Sequence, residues 1–154
     1  MPDKLKAILL KSKQNYTTAH INSIIDESDF LDHIARSLSI GTDILELEFD
    51  NVIFVKAIEI GKKIKLLCAE FNSLLIIKER SDIAFVLEAD GIVLNSSSID
   101  IHSAKHILGE NVLIGYNVNT LDEAYTAESL GADYIVSDKK INVKIPVFSQ
   151  KALS

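Results

Sequence analysis

Two hydrophobic periods alternate along this chain. Short apolar runs of strand length are separated by stretches in which apolar residues recur every three or four positions, the spacing of one helix face. Residues 4–11, centred on Ala7-Ile8-Leu9-Leu10, predict a first strand, and the polar stretch 12–25 predicts nothing definite. Ser28 has the chemistry of a helix cap ahead of Leu31, Ile34, Ala35 and Leu38, and Gly41 ends that helix. A second strand is predicted over 44–49, then a long helix over 52–71 with Ile53, Ala57, Ile60, Ile64, Leu67 and Cys68 on one face. Strand three is expected over 73–77, a short helix from near Ser81, and strand four over 91–94. Ser98 or Asp100 opens the next helix, which closes at Gly109, and 112–115 reads as strand five. Thr120 and Glu123 have the spacing of a reciprocal cap for a fifth helix, which stops at Gly131. Strand six is expected over 134–137 and strand seven over 143–148, where Pro146 suggests an edge.

One short phrase is written three times at a strand entrance: Ile40-Gly41-Thr42-Asp43-Ile44-Leu45, Leu87-Glu88-Ala89-Asp90-Gly91-Ile92-Val93-Leu94 and Leu130-Gly131-Ala132-Asp133-Tyr134-Ile135-Val136. The shared aspartates Asp43, Asp90 and Asp133 are 47 and 43 residues apart. A strand, a helix and two loops take about 20–25 residues, so each interval holds two strand–helix units. Such alternation builds a parallel sheet or barrel that binds ligands at the carboxyl ends of its strands. A closed eight-stranded barrel needs at least about 200 residues, and this chain has 154. The expected fold is therefore one α/β domain over 1–154, an incomplete TIM-type (β/α) barrel of about seven parallel strands, left open and without an eighth.

Composition narrows the function classes. With 47% apolar and 25% charged residues the chain reads as an ordinary globular protein. Its apolar runs fall far short of the ~20 residues of a membrane span. A net charge of −6 without a basic stripe argues against a nucleic-acid surface. Cys68 is the only cysteine, so no internal disulfide can form, and the first residues lack a secretion signal; the expected location is the cytoplasm.

Leu75-Ile76-Ile77-Lys78-Glu79-Arg80-Ser81-Asp82-Ile83-Ala84 followed by Ala89-Asp90-Gly91-Ile92-Val93-Leu94 is a specific signature. With Ala104-Lys105-His106-Ile107-Leu108-Gly109, Ile114-Gly115, Leu121-Asp122-Glu123-Ala124 and Gly131-Ala132-Asp133-Tyr134-Ile135, it resembles the thiamine-phosphate synthase and thiazole tautomerase superfamily across residues 41–138. The resemblance implies an eight-stranded barrel whose synthases join a pyrimidine diphosphate to a thiazole phosphate, with magnesium stabilising the leaving pyrophosphate.

Several positions depart from that pattern. Where the family has glutamine-leucine-arginine-glutamate-lysine, this chain has Glu46-Leu47-Glu48-Phe49-Asp50, which puts Glu48 and Asp50 at the pyrophosphate-facing cations. The two metal aspartates align with Glu79 and Ser98, Lys78 replaces an asparagine, and Val93 replaces a histidine. In the segment 115–119, Asn119 replaces the histidine that would serve as acid and base in the tautomerase branch, and an amide cannot shuttle protons at neutral pH. After strand six the family's sixth helix, phosphate-gripping double glycine and eighth strand all find no counterpart.

These residues define the candidate ligand-binding positions Glu46, Glu48, Lys78, Glu79, Asn95, Ser98, Asn117 and Asn119. No catalytic residue, cofactor or metal ligand is assigned, and magnesium enters only if synthase activity holds. The expected function is a synthase-like protein, catalytically degenerate, that binds a small molecule or a partner and is linked to thiamin biosynthesis. Two alternatives stand beside it: an active synthase in which Glu79 holds magnesium and Lys139 and Lys140 take over the phosphate loop, and an assembly module without a ligand. Plain structural readings compete at several sites. Glu46, Glu48 and Asp50 share one side of their strand as an acidic rim, Lys78 pairs with one of them, and Cys68 packs in the core. His102 and His106 lie one helical turn apart, outside the buried face and without a third ligand. Homodimer formation is expected from the open sheet edges, strand seven above all, and from Val55 and Leu66 on the outer face of the long helix.

Overall fold

The computed structural model describes residues 3–153. Its elements run α1 (Asp3–Leu9), β1 (Tyr16–Asn22), α2 (Glu27–Ser39), β2 (Ile44–Asp50), α3 (Phe54–Glu70), β3 (Leu74–Lys78) and α4 (Ser81–Leu87). They continue as β4 (Gly91–Leu94), α5 (Ile101–Leu108), β5 (Leu113–Asn117), α6 (Leu121–Ser129), β6 (Tyr134–Val136), β7 (Val147–Phe148) and β8 (Gln150–Ala152). Every strand pairing is parallel, in the order β7-β6-β5-β4-β3-β2-β1-β8.

The two ends of that order are one stretch of chain, interrupted only at Ser149. Val147 and Phe148 pair with Ile135 and Val136 of β6, and Gln150, Lys151 and Ala152 pair with Tyr16, Thr17 and Thr18 of β1. Seven passages of chain thus close a TIM-type barrel, the last serving two neighbours in turn. The expected fold class, a TIM-type barrel of about seven parallel strands, holds; what differs is that its two edges are bridged by one segment instead of left open. The expected count of about seven survives by exchange, because residues 4–11 are largely helix and the unassigned stretch 12–25 holds β1. Among the described residues no helix follows α6, so the helix that the family resemblance implies after strand six has no counterpart, the departure expected from the sequence.

Residues 4–11 read as a strand because a short apolar run does not declare its period. In α1 the informative pair is Leu5 and Ile8, three apart on one face and 0% and 3% exposed, while Leu10 beyond the helix is out in solvent. That pair plugs the amino end of the barrel, packing with Tyr16, Ile44, Leu74, Ile76, Val93, Leu113, Tyr134, Val136 and Phe148 inside it. Alternate strand residues face outward, where α2, α3 and α4 cover one flank and α5 and α6 the other. The cap of α2 is Asp26 rather than Ser28, its carboxylate accepting from Asp29 N at 2.9 Å. Asp100 and Thr120 cap α5 and α6 as the sequence suggests.

The triple phrase has a mechanical meaning. Asp43, Asp90 and Asp133 each accept a backbone N–H from the preceding strand's entrance, from Asn15, Leu75 and Ile114, all at 2.8 Å. Each aspartate's own N–H donates back to the carbonyl of the same residue. The carboxylates therefore clasp β1 to β2, β3 to β4 and β5 to β6, satisfying amide groups at strand ends that no sheet partner reaches. Two strand–helix units form one repeat, and the clasp recurs once per repeat.

Candidate functional site

Strand alternation places Glu46, Glu48 and Lys78 on the inner face of their strands, Glu46 buried and Glu48 and Lys78 partly exposed towards the carboxyl mouth of the barrel. Glu46 is 2% exposed, and its Oε1 accepts from the Tyr16 hydroxyl at 2.7 Å. Burial raises its pKa, reinforced by Glu48 and Glu79 and opposed by the Tyr16 hydrogen bond and Lys78. Burial also holds the Tyr16 phenol well above its usual pKa, so Tyr16 remains a donor. Tyr134 lies below, packed edge-on against Phe148, and its hydroxyl has no hydrogen-bond partner among the described residues. That ring fits only because residue 115 is glycine: a Cβ there would sit 2.2 Å from Tyr134 Cζ.

Lys78 Nζ donates to Glu48 Oε1 at 3.2 Å, the pairing foreseen in the plain reading. Glu79 follows in the left-handed region, at φ 60°, which an L-residue adopts only when its surroundings hold it there. Its N–H donates to Val93 O, and its Oε1 accepts from Ser98 Oγ at 3.0 Å. Asn95 orders the same loop, its N–H donating to Ser98 Oγ and its Oδ1 accepting from Ser97 N. Glu46, Glu48, Lys78, Glu79, Asn95 and Ser98 thus form one constellation at the ends of β2, β3 and β4. Asp50 departs from it: it is exposed and lies 3.6 Å from His20 Nε2.

Asn117 and Asn119 belong to a second group at the ends of β5 and β6. They line a cleft of about 110 Å³ with Ser137, Asp138, Lys139 and Gln150. Asn119 N donates to Glu123 Oε2, and Asn119 O accepts from Lys139 Nζ at 3.0 Å. Gln150 Oε1 is buried there without a partner among the described residues. Sequence reasoning missed Tyr16 and Gln150. Tyr16 heads a run with strand-forming residues, Tyr16-Thr17-Thr18-Ala19-His20-Ile21, and that was an available signal; Gln150 carried none.

The magnesium implied by the family resemblance does not fit this constellation. A hard divalent cation needs several anionic or carbonyl oxygens, and here Glu79 is hydrogen-bonded to the Ser98 hydroxyl, Glu48 is paired with the Lys78 ammonium, and Glu46 is buried against the Tyr16 hydroxyl. Among the described residues no group of three or more His, Cys, Asp or Glu side chains converges. His102 and His106 are both exposed on α5. Cys68 is buried, which pushes its thiol up to about 12, so it is packing rather than a nucleophile.

Comparison with known proteins follows the same architecture. The family described as thiamine monophosphate synthase matches residues 17–139. The thiamine-phosphate synthase of Desulfitobacterium hafniense (strain DSM 10664 / DCB-2) is 35% identical over 112 residues, covering 73% of this chain and 54% of that protein. The thiamine-phosphate synthase of Fusobacterium nucleatum is 34% identical over 142 residues, covering 79% of this chain and 69% of its own. The chain therefore spans about half to two-thirds of the length of these relatives. Among solved structures, thiamine phosphate pyrophosphorylase from Pyrococcus furiosus superimposes with a TM-score of 0.76 at 27% identity, covering 86% of this chain and 72% of that one. A 2-keto-3-deoxy-6-phosphogluconate aldolase of Zymomonas mobilis, at 15% identity and a TM-score of 0.59, shares the fold alone.

Proposed function

Since the chain belongs to the thiamine monophosphate synthase family, we propose that it is a synthase-like protein that has given up thiamin phosphate formation. It binds instead a small molecule bearing an amine or another cation at the carboxyl mouth of the barrel. The observation that carries this reading is the Lys78–Glu48 ion pair above the buried Glu46. A departing pyrophosphate needs cations and donors aimed at it. Here Glu46 lies in the field of the Glu48 and Glu79 carboxylates, and the Lys78 ammonium that opposes them is already engaged by Glu48. Like charge repels a diphosphate, whereas a cationic ligand would displace Lys78 from Glu48 and recover its Coulomb energy.

An active synthase is the second reading. It is favoured by the identity to proteins named thiamine-phosphate synthase. A magnesium-dependent assay with the pyrimidine diphosphate and the thiazole phosphate separates the two, alongside complementation of a synthase-deficient strain. We expect no product and no growth; product formation would establish the second reading. Thermal stabilisation by small primary amines, lost in Glu48→Gln, tests the ligand class directly.

A further inference from the structure

The outer face of α3 carries a stripe that is complementary to its own reverse. Val55, Glu59, Lys62 and Leu66 are spaced by four, three and four residues, so they stay on one narrow strip of the helix. All four are exposed, Val55 at 62% and Leu66 at 72%, while Ala57, Ile60, Gly61, Ile64 and Cys68 bury the opposite face. Lys63 leans to one side, to Glu27 of α2 at 2.6 Å, and Lys65 to the other, to Glu88 after α4 at 3.7 Å. The stripe is thus the outermost ridge of the helix, between its two neighbours. Its charged and apolar members are symmetric about the midpoint between positions 60 and 61.

We propose that this stripe is the twofold surface of a homodimer, its occupant a second copy of the chain. When a second α3 is laid antiparallel across the first, Val55 meets the partner's Leu66 and Glu59 meets the partner's Lys62, each contact occurring twice. A twofold interface must be complementary to itself, and these four residues are. Any other partner would have to present the same order in reverse. The flanking Lys56 and Lys65 also approach their counterparts across the axis, but each is neutralised within its own chain, by Glu59 at 3.3 Å and by Glu88. Glu59 retains a second carboxylate oxygen for the partner. The sheet edges, by contrast, are consumed by barrel closure and offer no rival route. With one apolar side chain at each end of a charged centre the contact is small, and its ion pairs fix orientation more than affinity. Antiparallel α3 helices set the two barrels in opposite senses, so the two carboxyl mouths face away from each other and remain open.

Sedimentation and light scattering on the full chain, from about 10 μM to 500 μM for a contact of this small size, should show the mass rising from 17.0 kDa towards twice that value. E59K and K62E each bring like charges together across the axis and should weaken association by about tenfold or more. The double variant E59K/K62E restores the pairing with its signs exchanged and, although Lys56 loses its Glu59 partner, should associate more tightly than either single variant. These side chains are exposed, so circular dichroism should show an unchanged fold in all three variants. A mass fixed at 17.0 kDa at every concentration overturns the proposal. Single variants that associate like the parent, or a folded double variant that associates no more tightly than either single variant, would overturn it equally.

Discussion

At the scale of single residues, Asp43, Asp90 and Asp133 tie neighbouring strands together at their entrances. Each clasp carboxylate satisfies an amide that would otherwise end a strand unpaired. Asp133→Ala should therefore cost about 1–3 kcal/mol in urea unfolding, the usual penalty for a stranded buried donor, and Asp133→Asn, which keeps one acceptor oxygen, should cost less. Equal losses in the two variants would show that the backbone pairing suffices without the carboxylate. The repeat was visible in the sequence, but its role was not, because the donors lie on the preceding strand, 15–28 residues away. Glu46 gives a second test. Its pKa in the fold is raised above the ordinary value near 4.5, so over that window the folded state holds more protons than the unfolded one. The stability this contributes is complete below about pH 4.5 and is lost as pH rises through the raised value. Glu46→Gln removes the titration, so its stability relative to the parent should improve from pH 5 to pH 8. A relative decline over that range would mean that the ionised carboxylate is the favoured state.

Among the elements, long periodic helices and apolar central strands were legible, and both ends of the chain were not. Helix α3 declares itself because seventeen residues sample its period several times. The seven residues of α1 sample theirs barely twice, and their burial depends on the barrel they plug. β1 was illegible for a different reason: its inward positions near the mouth, Thr18 and His20, are polar, so alternation of hydrophobicity fails where the site begins. The same cause made Gln150 on β8 silent. β7 tests how much a two-residue strand contributes. Phe148 lies against Tyr16 at 5.9 Å and against Tyr134 at 5.5 Å between ring centroids. Phe148→Ala should destabilise by about 3–5 kcal/mol, as for a buried aromatic whose site cannot collapse. A loss below about 1 kcal/mol, within the range of surface substitutions, would place the ring outside the cooperative core.

For the molecule as a whole, the decisive feature is that one short segment closes the barrel from both sides. Parallel strands pair poorly alone and are stable when both faces and both edges are covered. β1 reaches β6 only through Val147–Ala152, two residues registered on one neighbour and three on the other. Removing the chain from Val147 onward would strip both edges at once and uncover Tyr16 and Tyr134 in the barrel centre. The remaining length still contains α1 to β6, so secondary structure should persist while specific packing is lost, the behaviour of a molten globule. The expected outcome is a retained far-ultraviolet circular dichroism signal, dye binding to exposed apolar surface, and a broad thermal transition in place of a cooperative one. Hydrogen exchange should locate the change: amides of β1 and β6 should lose protection together, although five strand positions separate them in the sheet order. If protection fell only at β6 and β1 stayed slow to exchange, the barrel would be an open sheet in solution and the segment a mere edge strand. Joint loss would show that these few residues turn a curved sheet into a closed barrel.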